Sequence, residues 1–172
     1  KYSYVFPTKS LEELLSDPHI DAVVVSTPAV THYEVVKACL LKNKHVLVEK
    51  PLSTLVEQGS DLVQLAEERK RILMVGHTFL YNPGILKIKE YLSHNDFGAV
   101  YYLHATRTHL GLIRNDVNAI WDLAPHDLSI MDYLIDDKPI AVSCVGVNHF
   151  SEFEDVAYVT VHFAENRLAQ FH

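Results

Sequence analysis

Three short apolar runs set the texture of the first half of the chain. Residues 20–26, 45–48 and 72–75 are mostly β-branched or aliphatic and show no clear alternation with polar residues. Runs of that kind predict strands covered on both faces, as in a parallel sheet. Helical patterns separate them. Thr31-His32-Tyr33-Glu34 and Thr54-Leu55-Val56-Glu57 have the form of a capping box, and Ser10-Leu11-Glu12-Glu13 opens a shorter helix by the same device. Val35, Val36, Cys39 and Leu40 share one side of the first long helix, and Leu55, Gly59, Leu62 and Ala66 make a stripe that runs to Arg69 on the second. Helix and strand therefore alternate three times with short connections, which predicts α/β architecture with a doubly wound parallel sheet.

After Asn82-Pro83-Gly84 the pattern changes. A helix is expected over 85–93, a turn at 95–98, an aromatic strand over 100–108 and a loop over 111–118. A helix over 122–135 is followed by strands at 140–148, 156–163 and from 167 onward. Strands clustered after a helix predict an α+β unit with a mostly antiparallel, open sheet. The boundary falls near 78–83, giving a partial dinucleotide-binding domain over 1–80 and a partial substrate and oligomerisation domain over 81–172. A dinucleotide-binding half needs a first strand, a glycine-rich turn and a helix. No GxGxxG occurs in the chain, so about 50 to 60 further residues are expected upstream, and the last strand is still running at His172.

Charge and composition narrow the classes. The 172 residues are 48% hydrophobic and carry a net charge of -7, with no Lys/Arg cluster to attract nucleic acid or an anionic membrane. No apolar run approaches the roughly 18 residues of a membrane span. Cys39 and Cys144 lie far apart in apolar contexts, which reads as two buried, reduced thiols and a cytoplasmic setting.

In doubly wound sheets ligands bind beyond the carboxyl ends of the strands. Ser26-Thr27-Pro28, Glu49-Lys50-Pro51 and Gly76-His77 all follow predicted strands and so share that edge. Lys50 reads either as an ordinary solvated lysine or as a point charge that holds a hydroxyl and favours its alkoxide. Glu49 is placed to pair with it or to bond a cofactor. Thr27 and Pro28 read either as a plain turn or as donors and contacts beside a dinucleotide. His32 stands in a first helical turn, usually a surface position. Asp122 and His126 are four apart, on one helical face, where a carboxylate can orient an imidazole for acid/base work. The competing reading makes Asp122 an N-cap, because Pro125 is expected only near a helix start. Eleven histidines suggest metal, but there is no HExxH and no zinc-type Cys/His cluster, and His104 and His109 are expected on opposite sides of their strand. No GxSxG supports a hydrolase.

Taken in order, Ser26-Thr27-Pro28 with His32, Glu49-Lys50-Pro51, Asn82-Pro83 and Asp122 with His126 resemble the Gfo/Idh/MocA family of NAD(P)-dependent oxidoreductases. The resemblance covers nearly the whole chain. It implies a partial Rossmann-like domain followed by the α+β domain, and hydride transfer between NAD or NADP and a carbon of a sugar, cyclitol or nucleotide sugar. It implies that Lys50 orients the reacting hydroxyl, that His126 is the acid/base and that Asp122 works with it. By the same resemblance Ser26, Thr27, Pro28, His32, Glu49, Lys50 and Pro51 line the cofactor cleft. Asn82, Arg107 and Trp121 are expected on the substrate side, and a homo-oligomer through the second sheet is implied. Leu123-Ala124-Pro125 stands where the family motif is richer in glycine. The alternative is a non-catalytic member that binds a sugar nucleotide or serves as a dimerisation module.

Overall fold

The computed structural model describes residues 5–94, 97–108 and 117–172. The chain forms two compact units, Lys1–Gly76 and His77–His172.

In the first unit the helices α1 (Leu11–Ser16), α2 (His32–Leu41) and α3 (Val56–Arg69) alternate with strands β1 (Ala22–Val25), β2 (His45–Val48) and β3 (Leu73–Val75). The strands pair in parallel in the order β1-β2-β3, so the alternation read from the sequence is the alternation observed. Val25, Val46, Val48, Val36, Cys39, Leu40, Leu62 and Ala66 form the core between the sheet and its helices. Each large aliphatic side chain buried there contributes about 1.5–3 kcal/mol. The opposite row, Val24, Leu47 and Met74, stays 68%, 37% and 39% exposed. The sheet is thus covered on one face only among the described residues, against the expectation of two.

The helix starts differ in detail from the capping boxes. Ser10 does accept from Glu13 N, as the box requires. Glu13 turns instead to the Thr8 hydroxyl. Thr31 does not cap α2: its Oγ1 donates to Pro28 O at 2.7 Å, and a short 3-10 turn, Ala29–Thr31, leads into the helix. The α3 helix starts after Leu55 with no side-chain cap, because its N-cap residue is Leu55, which carries no acceptor, and not Thr54; Ser53 Oγ donates to the Leu55 carbonyl. Local composition marked where these helices begin but not which polar atom closes each end.

The second unit holds α4 (Pro83–Ser93), β4 (Tyr102–Ala105), α5 (Ala119–Ile135), β5 (Ala141–Val147), β6 (Val156–His162) and β7 (Leu168–Phe171). Its sheet has the order β4-β7-β6-β5, with β4 parallel to β7 and the other pairs antiparallel. Ala124, Met131 and Ile135 of α5 pack on Val159, Val161, Ala169 and Phe171 of the sheet. The α5 helix rests on β6 and β7, so the edge strand β5 is exposed along its whole length. That corrects the expectation for the cysteines: Cys39 is buried, but Cys144, on β5, is exposed. Both are free thiols.

Two further corrections concern α5. Asn118, not Asp122, is its N-cap, and the Asn118 side chain accepts from Trp121 N at 3.0 Å. Asp122 lies in the first turn and Pro125 lies inside the helix. The expected loop at 111–118, the turn at 95–98 and the placement of His109 fall largely or wholly outside the described residues.

Candidate functional site

The parallel sheet ends in register. Val25 pairs with Val48 and Val48 with Val75, so Ser26, Glu49 and Gly76 are the first residues past the strands. Two more backbone bonds extend the edge: Glu49 N donates to Val25 O at 2.9 Å, and Gly76 N to Val48 O at 2.7 Å. A side chain at position 76 would crowd this row, since a Cβ there would stand 3.3 Å from Glu49 Oε2 and 3.4 Å from Val48 O. Glycine lets the Glu49 carboxylate lie against the neighbouring backbone. The sequence placed Gly76 at this edge but gave no sign of its contact with Glu49, a residue 27 positions earlier.

Ser26, Thr27, Pro28 and Glu49 are exposed, Lys50 is half-buried and Pro51 is buried. The Lys50–Pro51 peptide is cis. This is an exposed polar ledge of hydroxyl and carboxylate groups at the carboxyl edge of a parallel sheet, beside a glycine that lets Glu49 lie against the backbone. Those features suit the polar groups of a dinucleotide.

His32 departs from expectation. It begins α2 but is only 1% exposed. Its Nε2 lies 2.8 Å from Thr27 O and its Nδ1 lies 2.7 Å from Pro51 O.

In the second unit Asp122 and His126 stand one turn apart on a continuous helix and share a face. The His126 ring meets Phe79 edge-on, with centroids 4.7 Å apart and planes at 66°. Beside His126 in sequence, Asp127 is 5% exposed. It accepts two bonds from Arg107, from Nε and Nη2, each 2.9 Å long. The Arg107 guanidinium also lies over the Phe79 ring, 4.8 Å from its centroid. Phe79 is therefore held between Arg107 and His126. Asp127 and Phe79 were missed from the sequence, since no spacing rule links residues 79, 107 and 127. Asn82 caps α4 by accepting from Gly84 N at 2.8 Å, and Trp121 is half-buried in the first turn of α5. Asp122, Arg107, Asp127, Phe150, Tyr158 and His172 contribute to the lining of a cavity of about 410 Å³.

Burial depresses the His77 imidazole below its ordinary value, and its Nδ1 is buried without a hydrogen-bond partner. Burial raises the Cys39 thiol. Neither environment favours the charged form.

Residues 1–77 match the family described as "Oxidoreductase family, NAD-binding Rossmann fold", and residues 85–172 match the "GFO/IDH/MocA C-terminal domain". The chain belongs to the Gfo/Idh/MocA oxidoreductase family. Among its relatives is a UDP-N-acetylglucosamine 3-dehydrogenase of Acidithiobacillus ferrooxidans, 34% identical over 149 residues, which cover 86% of this chain and 46% of that protein. A solved structure of that enzyme matches with a TM-score of 0.83 at 30% identity, over 95% of this chain and 51% of that one. An inositol 2-dehydrogenase of Mycolicibacterium smegmatis is 31% identical over 133 residues, 76% of this chain and 39% of that protein. GenD2 from gentamicin A biosynthesis, solved in complex with NAD, matches with a TM-score of 0.86 at 26% identity, over 95% of this chain and 50% of that one. The chain thus spans less than half the length of these two curated relatives. Among its described residues no helix is long and apolar enough to cross a membrane.

Proposed function

We propose that this Gfo/Idh/MocA chain is part of a dehydrogenase that moves a hydride between NAD or NADP and a hydroxyl-bearing carbon of a sugar, cyclitol or nucleotide sugar. The observation that carries the reading is the Ser26–Pro28 and Glu49–Pro51 ledge at the carboxyl edge of the parallel sheet, in a chain that belongs to this oxidoreductase family. The UDP-sugar and inositol dehydrogenases among its relatives give the substrate class.

When bound, the nicotinamide supplies the hydride acceptor or donor. Ser26, Thr27, Pro28 and Glu49 would hold the cofactor at the ledge. The Lys50 ammonium binds the reacting hydroxyl oxygen and stabilises negative charge as it grows. The imidazole of His126 takes the hydroxyl proton during oxidation and returns it during reduction. Asp122, on the same face of α5, fixes the tautomer of that ring. Trp121 and Arg107 contribute on the substrate side, and the cavity that Arg107 shares with Asp122 supports the assignment of Arg107.

We also infer that copies associate through the outer face of the second sheet. In register, Tyr102 adjoins Leu168 and Val145 adjoins Tyr158, and these four are 69%, 37%, 70% and 52% exposed. Two such exposed pairs, in separate rows of the same sheet face, fit an interface. A cytoplasmic setting agrees with the two free thiols.

The test is turnover of NAD(P) by the intact protein with a panel of cyclitols, hexoses and nucleotide sugars, before and after His126→Ala. The substitution is expected to lower kcat by about 10² to 10⁴ while the cofactor dissociation constant stays nearly constant. Full kcat in the variant would remove His126 from the chemistry.

A further inference from the structure

The β1–β2 ladder stops at Val25 and Val48, and its last extension is the bond from Glu49 N to Val25 O. The two turns beyond it, 26–28 and 49–51, are bridged by a side chain. His32 lies behind both and reaches Thr27 O with Nε2 at 2.8 Å and Pro51 O with Nδ1 at 2.7 Å. Thr31 reinforces the first turn, its Oγ1 standing 2.7 Å from Pro28 O and 2.8 Å from Thr27 Oγ1.

Two consequences follow from chemistry. The ring is 1% exposed and both its polar atoms are engaged, so it has no edge to offer a ligand. Both partners are carbonyl oxygens, which only accept, so full pairing asks the ring for two N–H groups. One of the anchored carbonyls belongs to the residue directly after Lys50, so the clamp sets where the Lys50 side chain leaves the backbone.

We propose that His32 is a positioning residue: it clamps the Ser26–Pro28 turn to the Glu49–Pro51 turn and so fixes Lys50 and the cofactor ledge, without touching cofactor or substrate itself. The proposal rests on the dehydrogenase reading above. Misplacing a reacting group by about 1 Å can cost on the order of 100-fold in rate.

The experiment uses the intact protein and its His32→Gly and His32→Gln variants. It measures kcat, KM and cofactor affinity, together with hydrogen exchange of residues 26–31 and 49–55. His32→Gly is expected to lose about 10- to 100-fold in kcat and to exchange faster in both turns. Added imidazole, which fits the void and brings two N–H groups when protonated, is expected to restore most of the rate. N-methylimidazole, with one N–H at most, is expected to restore little. His32→Gln fills the space and can donate to one carbonyl, so it is expected to fall between wild type and glycine. It also decides the matter if the glycine variant does not fold.

Wild-type kcat and cofactor affinity in His32→Gln, or equal rescue by imidazole and N-methylimidazole, would overturn the clamp. A wild-type protein that neither binds NAD(P) nor turns over any substrate in the panel would instead sink the dehydrogenase reading, and the proposal with it.

Discussion

Removing the Arg107 guanidinium tests how the second unit holds its candidate acid/base helix. In Arg107→Ala two charge-assisted bonds of 2.9 Å to Asp127 disappear. The Asp127 side chain is 7% exposed, so its carboxylate is left buried with neither bond replaced, while the Arg107 side chain was 25% exposed and already partly solvated. Breaking a buried pair by deleting one partner costs about 3–5 kcal/mol. The partial exposure of Arg107 places this pair near the lower end, about 3 kcal/mol. Loss of the cation over the Phe79 ring adds about 0.5–1 kcal/mol. For a unit of this size each kcal/mol lowers Tm by about 4–8 °C, so a fall of about 14–32 °C is expected. Trp121 is the only tryptophan of the chain and lies in α5, so its fluorescence in urea reports this unit directly. The paired replacement Arg107→Met with Asp127→Leu is expected to recover most of the loss, because it removes the stranded charge as well as the pair. A cost below about 1 kcal/mol for Arg107→Ala, the range of a solvent-screened surface pair, would refute the reasoning. So would a double variant whose cost equals the sum of the two single ones.

The thiols should separate cleanly under alkylation of the native protein: Cys144 modified first, and Cys39, buried and with a raised pKa, modified only after denaturant is added. Peptide mass spectrometry checks the order, and early modification of Cys39 would contradict its place in the core. The depressed His77 predicts a pH dependence of stability. The unfolded chain takes up a proton near pH 6.5 and the folded one resists until lower pH, so stability is full above about pH 6.5 and is lost as pH falls through the depressed folded value. His77→Gln is expected to flatten that acid limb in urea titrations followed by Trp121 fluorescence. An unchanged slope would mean that another group carries it.

The parallel pairing of β1, β2 and β3 was legible because unalternating aliphatic runs and helix starts repeat locally along the chain. The edge holding Ser26, Glu49 and Lys50 was legible for the same reason, since a ligand edge follows from strand direction. What escaped depended on atoms brought together from a distance. His32 looked like a surface residue because its two acceptors lie 5 and 19 positions away in sequence. Arg107 gave no sign of Asp127, 20 positions on. Asp122 was a plausible cap until the helix proved to begin one turn earlier, at Asn118. Cys144 has apolar neighbours like Cys39, but only the tertiary arrangement shows that α5 stops short of β5.

The interior proline of α5 has an effect on hydrogen-bond supply. Pro125 brings no N–H, so the Trp121 carbonyl, four residues earlier, receives none of the helix's own i+4 donors. The turn that runs from Asp122 to His126 therefore carries a main-chain oxygen whose helical rung is missing. Any donor that completes that rung has to come from outside the i+4 pattern, from a neighbouring amide or from solvent.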